Sequence, residues 1–418
     1  MTKDGRFKLS RRTACRICGG TELTLYLDLG EQPPSNSFPR PDAIAAEQEF
    51  PLRVYLCRQC GLSQLLDIVA SGDIFDDYLY LSSTSKALCR HYAGLVDSAL
   101  SDFDPAENSL MIDIGCNDGV LLKGYAPGHY RLLGIEPSSA GRYAEEAGFE
   151  VLKEFFDAEA GDRIRNTHGP ARFVTATNVF AHVDDVRSFA AGIRALLADD
   201  GVYIIEFPYL LDMIDKCYFD TIYHEHLSYF ALTPLMRLFE ESRLRAFRVS
   251  RVEVGASGPG LRLFVCREEA SHGADDSIAA MLDHERRWGV TDVAPYEDFS
   301  RRVSHVRNEI LDMIGKFNLK GHKLGAFGAP AKGNTLLNYL GLTCEEIIAV
   351  SDNNELKVGK VTPGTHIPIV DDAAFLRTGV SHALLLAWNY APFFLENAEF
   401  IKQGGKFIIP LPTPEIRP

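Results

Sequence analysis

The chain holds 418 residues with a formal net charge of −14, and 46% of them are apolar. That length exceeds what one hydrophobic core usually serves, so two or three domains are expected, and the acidic balance excludes the basic face on which nucleic-acid binding depends. The charged opening MTKDGRFKLSRR lacks the apolar run of a signal peptide, and no stretch has the length of a membrane span; this predicts a cytoplasmic protein with reduced thiols and neither a membrane nor a nucleic-acid partner.

The first block, residues 1–78, carries two C-x-x-C pairs, Cys15 with Cys18 and Cys57 with Cys60, each followed by a glycine (Gly19, Gly61). A knuckle turn of this kind sets two thiolates on one side of a metal, and two knuckles complete a tetrahedral four-cysteine site. In a reducing compartment the pattern predicts structural Zn2+ rather than two disulfides or redox dithiols. A metal with four protein ligands has no open position for catalysis. Between the pairs lies a loop-rich stretch, EQPPSNSFPRPDA, with little periodicity.

The second block, residues 79–275, opens with a helix-like stretch from Lys86 to Ser101 and then alternates apolar runs with helical patterns. The runs LMIDIG, YRLLGIEP, ARFVTATN and GVYIIEFP suit strands covered on both faces. LRAFRVSRVEV and GLRLFVCRE read as an antiparallel pair at one sheet edge. The first run ends in Asp113-Ile-Gly115-Cys-Asn117-Asp-Gly119, whose glycines let the backbone approach a ligand. The next ends in Glu136, where a carboxylate can accept from two ribose hydroxyls. The spacing G-x-x-x-G differs from the dinucleotide fingerprint G-x-G-x-x-G and resembles the first motif of class I methyltransferases, which bind S-adenosyl-L-methionine. A Rossmann fold for another nucleotide is the alternative. Thr177-Asn178 and Glu206-Phe207-Pro208 close the later strands, and the expected cofactor contacts are Asp113, Gly115, Asn117, Gly119, Glu136 and Asn178.

After the fourth strand come Tyr223, His224, Glu225 and His226 in succession. Adjacent residues cannot share a helical face, so a zincin H-E-x-x-H reading fails. A histidine titrating near neutrality suits proton abstraction, and a neighbouring carboxylate can orient it. His182 follows the strand that ends at Asn178, on the edge where ligands bind in such sheets. The alternative is a polar surface loop.

The third block, residues 276–418, begins with a helical bridge to about residue 319 and then repeats the strand, glycine-loop, helix order in KLGAFG, EEIIAVSD, HALLLAW and KFIIPLP. Its loop Gly325-Ala-Phe-Gly328-Ala-Pro-Ala-Lys332-Gly-Asn334-Thr precedes a helix, a place where free N–H groups bind anions. Lys332 adds a charge, and Asp352 ends the next strand. The loop lacks Walker spacing, so ATP hydrolysis is not expected; a lobe without a ligand is the alternative.

The order C-x-x-C, C-x-x-C, Y-x-Y-x-S-S, D-I-G-C-N-D-G, I-E-P-S, N-x-x-x-H, Y-H-E-H-x-S-Y-F, G-A-x-A-K-x-x-T and L-x-A-W-N resembles the sugar C-methyltransferases over nearly the whole chain. The resemblance implies an α/β chain with a small N-terminal four-cysteine zinc domain, a class I methyltransferase Rossmann-like core and a C-terminal Rossmann-like lobe. It implies S-adenosyl-L-methionine and structural Zn2+ as cofactors. The acceptor would be a nucleotide-linked 4-keto-deoxysugar, dTDP or GDP carrying the sugar, bound by a monomer or weak homo-oligomer. His226 would be the base, with Tyr223, Glu225, His182 and Tyr78 or Tyr80 around the sugar. Substrate contacts would come from Tyr80, His224, Lys332, Asn334, Asp352 and Asn389, and the lobe would grip the diphosphate. In the implied reaction His226 removes the proton beside the ketone, and the enolate, stabilised by hydroxyls and His182, takes the methyl group. Other readings are a non-sugar ketone, other S-adenosylmethionine chemistry, and a non-catalytic nucleotide sensor. Family members usually carry H-G-G before the strand that here reads LRLFV, where this chain has Ala256-Ser257-Gly258-Pro259-Gly260.

Overall fold

A computed structural model describes residues 7–70, 81–253, 258–319, 321 and 323–418. The apolar runs after Leu110 form a seven-stranded sheet in the order Leu244–Val252, Gly260–Arg267, Leu197–Pro208, Ala171–Thr177, Leu110–Ile114, Arg131–Ile135, Glu150–Leu152. The first two are the antiparallel edge that the pattern predicted, and the others run parallel. Leu110–Ile114 lies between Arg131–Ile135 and Ala171–Thr177, so the chain leaves it to one side and later returns on the other. Loops diverge at such a switch and open a crevice at the carboxyl ends of the strands. Gly115–Gly119 and Asn178 are fixed there by topology.

Three helices around this sheet start at side-chain caps. Ser85 accepts from Leu88 N ahead of Lys86–Phe103, Asp157 from Ala160 N ahead of Ala158–His168, and Asp185 from Ser188 N ahead of Val186–Leu196. Each satisfies an N–H that the helix leaves open, which stabilises by about 1 kcal/mol.

The N-terminal block has more regular structure than its cysteines announced. Phe50–Cys57 pairs antiparallel with Leu23–Gln32 and with Ser63–Leu65, and Ser228–Tyr229, from far along the chain, adds a fourth strand. Arg12 and Arg16 both reach Asp184 of the core at 3.1 Å. The proline-rich loop and the residues just after it contact the third block: Asn334 Nδ2 donates to Ser35 O at 2.7 Å, Ser35 Oγ lies 3.2 Å from Thr335 Oγ1, and His366 Nε2 meets Glu47 at 2.7 Å.

The expected bridge is two helices, Asp276–Trp288 and Ala294–Asn318. Glu285, fully buried on the first, accepts from Leu232 N and Thr233 N and so caps the helix Leu232–Glu241. Tyr296 on the second packs on Tyr26 with ring centroids 4.9 Å apart. The C-terminal sheet runs Ile369–Val370, Ile347–Ser351, Leu324–Phe327, His382–Leu385, Lys406–Ile409, Glu415–Arg417, with only the last strand antiparallel. One cluster of buried apolar side chains joins all three blocks, from Leu56 through Leu235 to Leu324. Among the described residues no helix is long and apolar enough to cross a membrane.

Candidate active site

A single cavity of about 1230 Å³ is walled by the core, the proline-rich loop and the C-terminal lobe. Pockets for one drug-sized ligand run to roughly 300–1,000 Å³, so this one has room for two ligands.

On the core wall, Gly115 holds φ +69°, and a Cβ there would lie 2.3 Å from Val179 Cγ2. Only glycine lets the loop turn that way. Glu136 is buried yet reaches the wall; its Oε2 accepts from Asn117 N and its Oε1 from Ser138 N, both at 2.9 Å. Each oxygen keeps acceptor capacity for a ligand hydroxyl. Asn117 and Asn178 also face the cavity. Asp113 and Gly119 do not. Asp113 sits beneath the loop, accepting from Thr175 Oγ1 at 2.6 Å, and burial pushes its carboxyl up to about 7. A Cβ on Gly119 would press on Ala144 and Phe149 at 3.1 Å, so that glycine serves packing.

Of the Tyr223–His226 segment, only Tyr223 and His226 reach the wall, together with His182. His226 Nδ1 lies 2.8 Å from Thr221 O, a group that can only accept, so Nδ1 carries the proton. Nε2 therefore has the lone pair, and the Tyr223 hydroxyl donates to it at 2.9 Å. Burial, aided by His182, pulls the His226 imidazole down to about 3. Burial likewise pulls His182 down to about 4, and its ring is held by the carbonyl of Glu225 at 2.8 Å and that of Asn178.

The neighbours of His226 behave otherwise than expected. Glu225 does not orient it: successive side chains point apart, and the Glu225 carboxylate instead takes both its donors from Asn36 Nδ2, at 2.7 and 2.9 Å. Burial pushes that carboxyl up to about 7, against Asn36 and Lys357, which lower it. His224 faces the N-terminal block, its Nε2 donating to Phe50 O at 3.2 Å, and is not on the wall. Tyr78 and Tyr80 lie outside the described residues, as do Ala256 and Ser257 and the expected boundary at 78.

On the lobe wall, Gly328 holds φ +79°, and Lys332, Asp352 and Asn389 face the cavity. Lys332 Nζ donates to Asn389 Oδ1 at 2.6 Å and lies 4.0 Å from the Trp388 ring centre. Burial pulls its ammonium down to about 8, although buried Asp220 opposes this. Asp352 accepts from Ala329 N at 2.7 Å and from Asn354 N at 2.8 Å. Asn334 is fully buried and ties the lobe to Ser35, so it is a joint between blocks and not a wall residue. Asn36 and Lys357 also line the cavity; neither belongs to a recognisable motif, and no pattern in the sequence pointed to them.

The four cysteines form a separate cluster. Cys15, Cys18, Cys57 and Cys60 have all their sulfurs within 4.8 Å of one another, with Cys15 to Cys60 at 3.6 Å and Cys18 to Cys57 at 3.4 Å. A tetrahedron with metal–sulfur bonds of about 2.3 Å has edges of about 3.8 Å, so the set fits zinc. Gly20 N points at Cys18 Sγ from 3.4 Å, and hydrogen bonds from the Cys57 and Cys60 thiols hold the Cys15 thiol below its ordinary range, in the direction of the thiolate that a metal needs.

Three family models match the chain: a zinc binding domain over residues 15–75, a methyltransferase domain over 88–246 and a C-methyltransferase C-terminal domain over 256–412. C-methyltransferase NovU of Streptomyces niveus is 34% identical over 405 residues, 96% of this chain and 96% of that protein. Among solved structures, a methyltransferase in complex with the Haloferax volcanii Trm112 methyltransferase activator overlaps with 13% identity and a TM-score of 0.35, over 44% of this chain and 94% of that one. Magnesium protoporphyrin IX methyltransferase of Synechocystis PCC 6803, with bound SAH, does so with 14% identity and a TM-score of 0.33, over 42% and 82%.

Proposed function

The chain belongs to this family of S-adenosylmethionine-dependent C-methyltransferases with a zinc-binding N-terminal domain, and from that premise we propose that its acceptor is a nucleotide-linked 4-keto-deoxysugar, methylated on the carbon beside the ketone. The observation that carries the reading is the His226 Nε2 lone pair on the wall of a cavity shared by the methyl-donor loop and the lysine-bearing lobe. Carbon methylation next to a ketone needs a base and room for two ligands, and the cavity offers both.

S-adenosylmethionine, when bound, supplies a methyl group already activated by the sulfonium charge; Gly115, Asn117, Glu136 and Asn178 are the residues that would hold it. The ketone acidifies its neighbouring C–H. His226 Nε2 takes that proton, and its Nδ1–H stays on Thr221 O, which steadies the imidazolium that forms. As Nε2 is protonated it no longer accepts from Tyr223, whose hydroxyl can then turn to donate to the developing enolate oxygen. Tyr223 takes the task expected of His182, because backbone carbonyls already engage the His182 ring. dTDP and GDP are the carriers to test first.

The test is incubation of the zinc-loaded protein with S-adenosylmethionine and dTDP- or GDP-linked 4-keto-6-deoxyhexoses. Mass spectrometry should find one methyl group gained on the sugar and an equal amount of S-adenosylhomocysteine. Methylation of simple ketones with no reaction on any keto-sugar nucleotide would overturn the reading.

A further inference from the structure

Arg16 stands between the first two cysteines, Cys15-Arg16-Ile17-Cys18, and its side chain is wholly buried. The metal does not require this. Arg58 holds the same place in the second knuckle, Cys57-Arg58-Gln59-Cys60, and is exposed. A buried guanidinium is costly unless it is paired and hydrogen-bonded, so the partners of Arg16 say what its burial serves.

Those partners lie on two segments outside the knuckle. Arg16 Nε donates to Asp184 Oδ1 at 3.1 Å, and Nη1 donates to Gln64 Oε1 at 3.2 Å and to Leu65 O. From there backbone hydrogen bonds close a circuit. Leu65 N donates to Leu227 O at 2.9 Å, and Leu227 N donates to Ala181 O at 2.7 Å. Ala181 and Asp184 bracket His182 and Val183, and Leu227 directly follows His226. The two histidines, whose ring centroids lie 4.9 Å apart, are thus mounted on a ring of contacts that the guanidinium closes. Arg12 shares Asp184 Oδ1 from a part-exposed side chain; the buried fork of Arg16 is what spans both segments. The same knuckle also holds the chain just beyond Asp184, because Ile17 O accepts from Arg187 Nε at 2.7 Å. Asp184 faces the cavity together with His182 and His226.

We infer that Arg16 is a positioning residue for the reaction: it fastens the mount of His182 and His226 to the metal-binding knuckle, and so sets where the proposed base stands. This deepens the reading of His226 as the base and rests on it. The simpler role for Arg16 is to fold the knuckle, and a readout at the His226 ring separates the two.

The full-length, zinc-loaded protein is labelled with isotopic histidine and observed by NMR. The Nδ1–H of His226, held on Thr221 O, gives a ring N–H signal that His226→Asn identifies by its loss. Arg16→Met should shift or broaden this signal while the protein keeps one zinc per chain. It should lower kcat by about tenfold or more with little change in KM, since misplacing a reacting group by an ångström costs on the order of a hundredfold. Arg16→Lys, which keeps the charge and can still reach one of the two segments, should fall between. Asp184→Ala cuts the same link from the core side and leaves the knuckle intact, so it should move the signal too. The double variant should be no worse than the worse single one, because both changes remove one link. A His226 signal unmoved in both Arg16→Met and Asp184→Ala would overturn the positioning role and leave His226 standing as the base. So would losses in kcat that add in the double variant, the behaviour of an Asp184 that acts on a ligand by itself. If Arg16→Met loses its zinc, Asp184→Ala decides: a zinc-loaded protein with the wild-type signal overturns the link. Turnover unchanged in His226→Asn would instead remove the base reading, and the role of Arg16 in the reaction with it.

Discussion

Asn36 and Glu225 stand 189 positions apart in the chain, and the single amide nitrogen of Asn36 serves both carboxylate oxygens of Glu225, at 2.7 and 2.9 Å. A loop of the zinc-binding block thus holds the residue beside the proposed base. Asn36→Ala should strip the buried carboxylate of its donors and raise its pKa further. A raised carboxyl is ionised only at higher pH, so the acid limb of kcat/KM should move to higher pH, by about one unit for the 1–3 kcal/mol of a lost charged hydrogen bond. Rates measured across pH 5 to 9 check this; an unmoved limb would mean that Glu225 need not be ionised.

For His226, His226→Asn should lower turnover by roughly a hundredfold or more, the usual worth of a positioned base. Affinity for both ligands should survive, because the base acts in the transition state. With S-adenosylhomocysteine in place of the donor, the variant should also stop exchanging the acceptor's α-proton with deuterated solvent. Exchange at the wild-type rate would shift the task of base to another group, Tyr223 first.

The donor loop is tested by Gly115→Ala and Glu136→Ala. The added methyl must occupy a left-handed backbone position and a spot 2.3 Å from Val179; the second change removes the expected ribose acceptor. Calorimetry should show S-adenosylmethionine affinity falling in both, through the displaced loop in Gly115→Ala and by about tenfold or more in Glu136→Ala, as expected when a hydrogen bond to a charged group, worth about 1.5–3 kcal/mol, is lost.

Diphosphate affinity should depend on pH through Lys332. Burial brings its ammonium down to about 8, so the side chain is cationic below that pH and neutral above it. The dissociation constant of dTDP should therefore rise as pH goes from 7 to 9. Lys332→Arg, which stays charged throughout, should flatten the curve. A wild-type curve already flat over that range would count against Lys332 as the titrating group.

Metal analysis should find one zinc per chain, and Cys57→Ser should lose it together with several degrees of Tm. Structural zinc contributes folding free energy directly. A metal-free protein with the same melting curve would remove zinc from the account.

Much of this was legible before the structure. Near-continuous apolar runs marked the strands of both Rossmann-like sheets, because those strands are covered on two faces. The cysteine pairs and the glycine loops announced themselves by spacing. The strand Phe50–Cys57 did not, since it is covered by elements that come from elsewhere in the chain. Nor could spacing say which of Tyr223, His224, Glu225 and His226 face the cavity: Phe50 O draws His224 one way, and Asn36 draws Glu225 another. Asn36 and Lys357 have no local signature at all, because each is placed only by partners that are distant in sequence.

The strand Ser228–Tyr229, paired with Ser63–Leu65, has a bearing on how the chain is made. The ribosome releases the N-terminal sheet with that edge open, and the missing strand emerges only after a further run of synthesis, roughly ten to thirty seconds at ordinary rates. Ser35 and Glu47 wait longer still, for Thr335 and His366. The cysteine cluster closes within residues 15–60, so zinc can fix the nascent block before any of its later partners exist. An unpaired edge invites other chains. Truncated products that stop short of residue 228 should therefore collect as aggregates, and zinc starvation during expression should enlarge that fraction.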